Sequence, residues 1–213
     1  VDSDPGCTAI ADKTAGAEAA AQILSEYFSA INALASFGTA KAGTEAQTLL
    51  SKTGAAVGAS SDAQTALGSI AQFLVSTATA AYQEKQLSKD LPAASKNISA
   101  VIDALIVIIQ DDYLKRGLAS EESKLAIRYK AFGTNASPEV KLMLDDRWHT
   151  DEQAIAAKRA SAQNLISALK TLSKGTSDLA ANSQHLKAKE LPGILEPYVT
   201  QLQTLIPQIQ KGF

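Results

Sequence analysis

The densest cluster of chemistry-bearing side chains runs Asp145-Asp146-Arg147-Trp148-His149-Thr150-Asp151-Glu152. On a helix, Asp145, His149 and Glu152 fall at i, i+4 and i+7 and share one face, with Asp146 three residues before the imidazole. Two carboxylates and an imidazole can hold a divalent metal, so these three are the candidate metal ligands. The plainer reading of the same composition is a solvated helix face laced with ion pairs. Carboxylate-bridged di-metal bundles need Glu-x-x-His on two helices and further glutamates on two more. This chain offers one degraded copy, and its other histidine, His185, precedes Glu190 near a proline break. No cofactor is expected.

Asp111 and Asp112 form a second candidate, a carboxylate pair in which burial could raise one pKa for acid/base work. Adjacent helical residues point about 100° apart and do not easily face one substrate. An exposed turn where a helix leaves the core is the simpler account. Tyr82, Tyr113, Tyr129 and Trp148 could line a ligand groove or merely pack at a bundle end. Nucleophilic and phosphate-binding signatures are missing: there is no Gly-x-Ser-x-Gly and no phosphate-binding glycine loop. Cys7 is the single cysteine, so neither an intrachain disulfide nor a paired-cysteine zinc site can form. Gly6-Cys7-Thr8 resembles the end of a bacterial lipobox, but Asp4 stands where that motif wants an aliphatic residue. A free thiol in an N-terminal tail is the alternative to a lipid anchor there.

Composition sets the elements that must carry these groups. Alanine supplies 39 of the 213 residues and aromatics 5%, and polar/apolar alternation is nowhere sustained. Alanine is the strongest helix former, so an all-α bundle with closely packed helices is expected. The net charge of -2 argues against a nucleic-acid binder. Residues 1–84 hold eight acids and three lysines, and 85–213 hold fourteen acids and seventeen bases. A first third kept in solution by Ser, Thr, Gln and Asn suits an exported bacterial protein, periplasmic or secreted. Neither a signal segment nor a transmembrane stretch is expected from this sequence.

Along the chain, residues 1–13 read as a flexible tail and 14–213 as one elongated, up-and-down antiparallel bundle of about five or six helices. Leu24, Tyr27, Ile31 and Leu34 make the first apolar seam. Asp62 caps a helix expected to reach about Leu87, with Leu67, Ile70, Leu74 and Ala81 inward. Ile98 to Ile109 leaves little polar surface and reads as a central core helix; a run of twelve containing Asp103 falls short of the about 20 residues a membrane span needs. Gly117 and Ser120-Glu121-Glu122 suggest a break and restart. Gly133 to Glu139 is the clearest boundary, with Ser137 capping and Pro138 in the first turn of the next helix. That helix carries Leu165, Leu169, Leu172, Leu179 and Leu186 at heptad spacing, with Thr176 and Ser183 as weaker seam members. Pro197 and Pro207 should start or bend the last helix.

Lys89-Asp90-Leu91-Pro92 returns as Lys189-Glu190-Leu191-Pro192, and the following apolar positions Leu105, Ile106, Ile109 and Gln110 match at the same offset. Two hairpins, 60–132 and 138–213, related by duplication would explain this. Two ordinary helix starts, each capped by an acid before proline, would explain it equally. The expected function is a non-enzymatic, exported bundle that binds a protein, a cell-envelope component or a small ligand. A metal-binding protein or enzyme built on Asp145, His149 and Glu152, and a membrane-active bundle exposing the 98–109 helix, are the alternatives.

Overall fold

The computed structural model describes residues 5–35, 61–79, 84–182 and 191–212. Every element among them is helical: α1 (Pro5–Ala35), α2 (Ser61–Thr79), α3 (Glu84–Val107), a π-helical segment (Ile108–Leu118), α4 (Ala119–Gly133), α5 (Pro138–Asn182) and α6 (Leu191–Gly212). The all-α bundle read from composition is the observed architecture.

The core forms where small and large apolar residues alternate on the helix faces. On α1, Ala17, Ala20 and Ala21 let neighbours approach closely, and Ile23, Leu24, Tyr27, Phe28 and Ile31 fill the space beyond them. Leu67, Ile70 and Leu74 of α2 meet Ile98, Val101, Ile102 and Leu105 of α3 in the same cluster. The leucine seam of α5 arrives as expected, with Leu165, Leu169, Leu172 and Leu179 buried, and the Thr176 hydroxyl donating to Ser173 O at 2.8 Å. Leu34, Ala81, Ser183 and Leu186 lie outside the described side chains. α1 packs most extensively against α6, α3 against both α2 and α5, and α5 also against α6.

Helix boundaries depart from the sequence reading at four places. α1 starts at Pro5, inside the segment read as a tail, because proline needs no donor in a first turn and alanine-rich sequence propagates the helix from it. α2 ends at Thr79, and Leu87 belongs to α3. Pro92 lies inside α3, eight residues after Glu84, rather than at a helix start. Its ring removes the N–H that would bond Ser88 O, but Pro92 is exposed, so water can satisfy that carbonyl. Pro192, by contrast, is the second residue of α6. The two echoed prolines therefore occupy different positions in their helices, while Lys189 and Glu190 lie outside the described residues. Leu105 is buried in the core, and the side chain of Leu205 lies outside the described residues.

The fourth departure matters most for function. No break occurs at Gly117 or Ser120; the helix runs on from Glu84 to Gly133. Within it, Ile108–Leu118 is wound as a π-helix, a geometry usually confined to single turns. Asp111 to Lys115 at 2.6 Å and Asp112 to Arg116 at 2.9 Å staple its outer face. At its end the Ala119 N–H turns back to Arg116 O. A window within Leu91–Gly133 has the length and a mean hydropathy of 1.5 that a membrane span would show, and half of it is buried inside the bundle. This exceeds the twelve-residue run that appeared too short, because the helix begins well before Ile98; past Ile109 it turns polar at Gln110-Asp111-Asp112.

Candidate functional site

Beyond Leu118 the long helix leaves the core. α4 buries no residue, and α5 buries none before Ile155. These two stretches, joined by the short turn at 134–137, form an arm whose substantial packing is confined to α4, the π segment and α5. At 1.5 Å per residue the arm is roughly 25 Å long.

Polar contacts, rather than a core, hold the arm's two helices together. Near its base Lys158 Nζ donates to both Glu121 oxygens at 2.8 and 3.0 Å, and Arg159 donates to Glu122 at 2.9 Å. The two glutamates that resembled a helix restart are thus ion-pair partners for α5. Farther out, Tyr129 donates its hydroxyl to Asp151 at 2.9 Å and meets Trp148 edge-on at 5.2 Å. Arg147 approaches the other Asp151 oxygen at 3.5 Å. Shielding from water, then the bond to Asp151, pushes the Tyr129 phenol above its ordinary value. At the turn, Ser137 Oγ accepts the Val140 N–H at 3.4 Å and donates to Glu139 at 2.8 Å, while Ser137 O accepts the Lys141 N–H at 2.9 Å. Ser137 is therefore the cap that starts α5, and its hydroxyl holds the Glu139 carboxyl below the usual range.

An open groove of about 330 Å³ runs between the helices near the tip, lined by Ala126, Tyr129, Lys130, Gly133, Lys141, Leu144, Asp145 and Trp148. Around it the arm carries large apolar side chains that nothing covers. Ile127, Phe132, Val140, Leu142 and Met143 are five of the six exposed large hydrophobics among the described residues. The tip also concentrates positive charge: residues 123–144 contain Lys124, Arg128, Lys130 and Lys141 against Glu139 alone. Among the described residues these four bases form no ion pair, whereas Lys115, Arg116, Arg147, Lys158 and Arg159 all do.

The candidate residues read from sequence fare differently in this setting. Asp145 lines the groove, while exposed His149 faces Glu152 at 3.7 Å. No group of three His, Cys, Asp or Glu side chains among the described residues converges to hold an ion. His185 lies outside them. Asp111 and Asp112 do not converge on a substrate position; each is engaged by a base one turn later, and the bond from Lys115 lowers the Asp111 pKa, which disfavours proton donation. Tyr129 and Trp148 do line a groove, whereas half-buried Tyr113 packs against the core and Tyr82 is outside the described residues. Lys130, Lys141, Phe132 and Met143 were not singled out by residue type. Their signal was positional: bases and large apolar residues crowd both sides of the Gly133–Glu139 turn, where a turn ordinarily carries small polar ones. No protein-family model, no curated protein and no solved structure matches this chain.

Proposed function

We propose that this chain is a non-enzymatic binding protein in which the bundle is the platform and the arm of α4 and early α5 is the recognition element. The observation that carries this reading is the clustering of five exposed large hydrophobics between Ile127 and Met143, on the part of the molecule that buries least. Each such side chain contributes roughly 1.5–3 kcal/mol when a partner covers it fully. An apolar cluster of this kind, rimmed by charge, is typical of an interaction site. Glu121, Glu122, Asp151 and the Tyr129 phenol are bound up in pairs that stiffen the arm, which suits presentation rather than turnover.

A photo-crosslinking residue placed at Leu142, in the full chain, tests the reading in a bacterial envelope extract. Products are expected from this position and not from a crosslinker at Lys170 on the exposed surface of the bundle. Identical products from both positions, or measurable turnover on a panel of hydrolase and transferase substrates, would overturn it.

A further inference from the structure

We infer that the arm's tip docks onto an anionic lipid bilayer, entering its headgroup layer end-on. This rests on the arm being the recognition element and names the partner. Three observations point the same way. First, within about 10 Å of the turn the tip carries three bases, Arg128, Lys130 and Lys141, against one acid, and none of those bases is tied up in an ion pair among the described residues. An exposed basic cluster beside apolar side chains is attracted to a negatively charged membrane surface.

Second, the apolar side chains do not lie on one face. At about 100° per residue, Val140 and Leu142 point roughly 160° apart around the axis of α5, and Met143 lies between them, about 60° from Val140. A folded protein surface covers one side of a two-helix arm. A bilayer surrounds a tip that enters it and covers every side at once.

Third, the depth fits. Phe132 and Val140 stand within three residues of the ends of the turn, and Ile127 and Met143 lie within about 10 Å of it along their helices. Interfacial segments bury their apolar side chains about 5–10 Å deep. The acids Asp145, Asp146, Asp151 and Glu152 begin beyond that depth, so immersion of the tip leaves them in water. Glu139 is the one acid that must enter the headgroup layer.

Sedimentation of the full chain with vesicles tests this, using phosphatidylcholine alone and phosphatidylcholine mixed with phosphatidylglycerol in equal parts. Binding is expected to the mixed vesicles only and to weaken as salt rises. R128Q/K130Q/K141Q should bind roughly a hundredfold more weakly, and Glu139→Gln roughly fivefold more tightly. F132S/M143S should weaken binding by roughly tenfold or more. All these positions are exposed, and thermal melting of each variant establishes that it is folded. Equal binding to both vesicle types, or binding unchanged by the base substitutions, overturns the inference. If no vesicle is bound but F132S/M143S removes a protein crosslink formed at Leu142, the lipid partner is wrong and the recognition arm stands. If the tip variants alter neither vesicle binding nor crosslinking, both readings fall.

Discussion

Gly175→Ala is the substitution whose outcome depends most directly on one packing contact. In an isolated helix, replacing this glycine in the C-terminal part of α5 should stabilise by about 1 kcal/mol, since alanine restricts the unfolded chain and favours helix. In the folded protein the new β-carbon would lie 2.6 Å from both Cε1 and Cζ of Tyr198 on α6, and nearer still to its hydroxyl. Carbon atoms rest at about 3.5–4.0 Å, so the ring must withdraw by roughly 1 Å. It is not free to do so without loss, because it is half-buried and packs against Phe28 with ring centroids 5.9 Å apart. Overpacking of this kind costs about 1–3 kcal/mol. The clash therefore outweighs the propensity gain, and a net loss of about 0–2 kcal/mol is expected, or a few degrees in melting temperature for a chain of this size. Urea unfolding followed by far-UV circular dichroism reads the change across the whole bundle. The decisive measurement is the double-mutant cycle with Tyr198→Ala: once the ring is gone, Gly175→Ala should become stabilising by about 1 kcal/mol. If Gly175→Ala stabilises equally in both backgrounds, Tyr198 does not rest on Gly175 and the account of the α5–α6 approach is wrong.

Other expectations address the arm and the core separately. Ser137→Ala should cost about 1 kcal/mol, confined to the start of α5, and hydrogen exchange of the Val140 amide should rise. It should also bring the Glu139 pKa back up, seen by carboxylate NMR titration. Because the folded-state pKa of Tyr129 is raised, the native state holds that proton more tightly. Its contribution to stability is complete below the ordinary value of 10.0 and is lost as pH rises through the folded value. Burial raises the Tyr113 phenol as well, so tyrosinate absorbance should show more than one late-titrating phenol, and Asp151→Asn should lower the midpoint of the Tyr129 component alone. Leu169→Ala, in the fully buried seam, should destabilise by about 2–5 kcal/mol, whereas Leu142→Ala on the arm should stay within about 0.5 kcal/mol of the parent in urea unfolding.

Fold class and the heptad seam were legible because they follow from local rules. Alanine content favours helix wherever it falls, and leucines spaced by seven share a face whatever they pack against, so Leu165 to Leu179 were correctly read as core. Ser137 and Pro138 were legible for the same reason: a cap and a first-turn proline act on their own helix. Glu121 and Glu122 were misread because an acid pair before an apolar run looks alike whether it caps a helix or reaches across to Lys158 and Arg159. Only the partner, 37 residues away in the chain, distinguishes the two. Pro92 was misread as a helix start because its cost depends on whether the unsatisfied carbonyl faces water, which is a matter of position in the bundle.

The candidate site divides along the same line. Its parts were visible in the sequence: Tyr129 and Trp148 as aromatic groove formers, Asp145 on a polar helix face, and a turn at Gly133–Glu139. That they form a projecting arm was decided by tertiary structure. Apolar periodicity marks which side of a helix can be buried, but it does not say where along a 45-residue helix the neighbours end. Ile155 and Met143 look alike in sequence. One is covered because the bundle still surrounds α5 at that height, and the other stands in water because only α4 accompanies it to the tip.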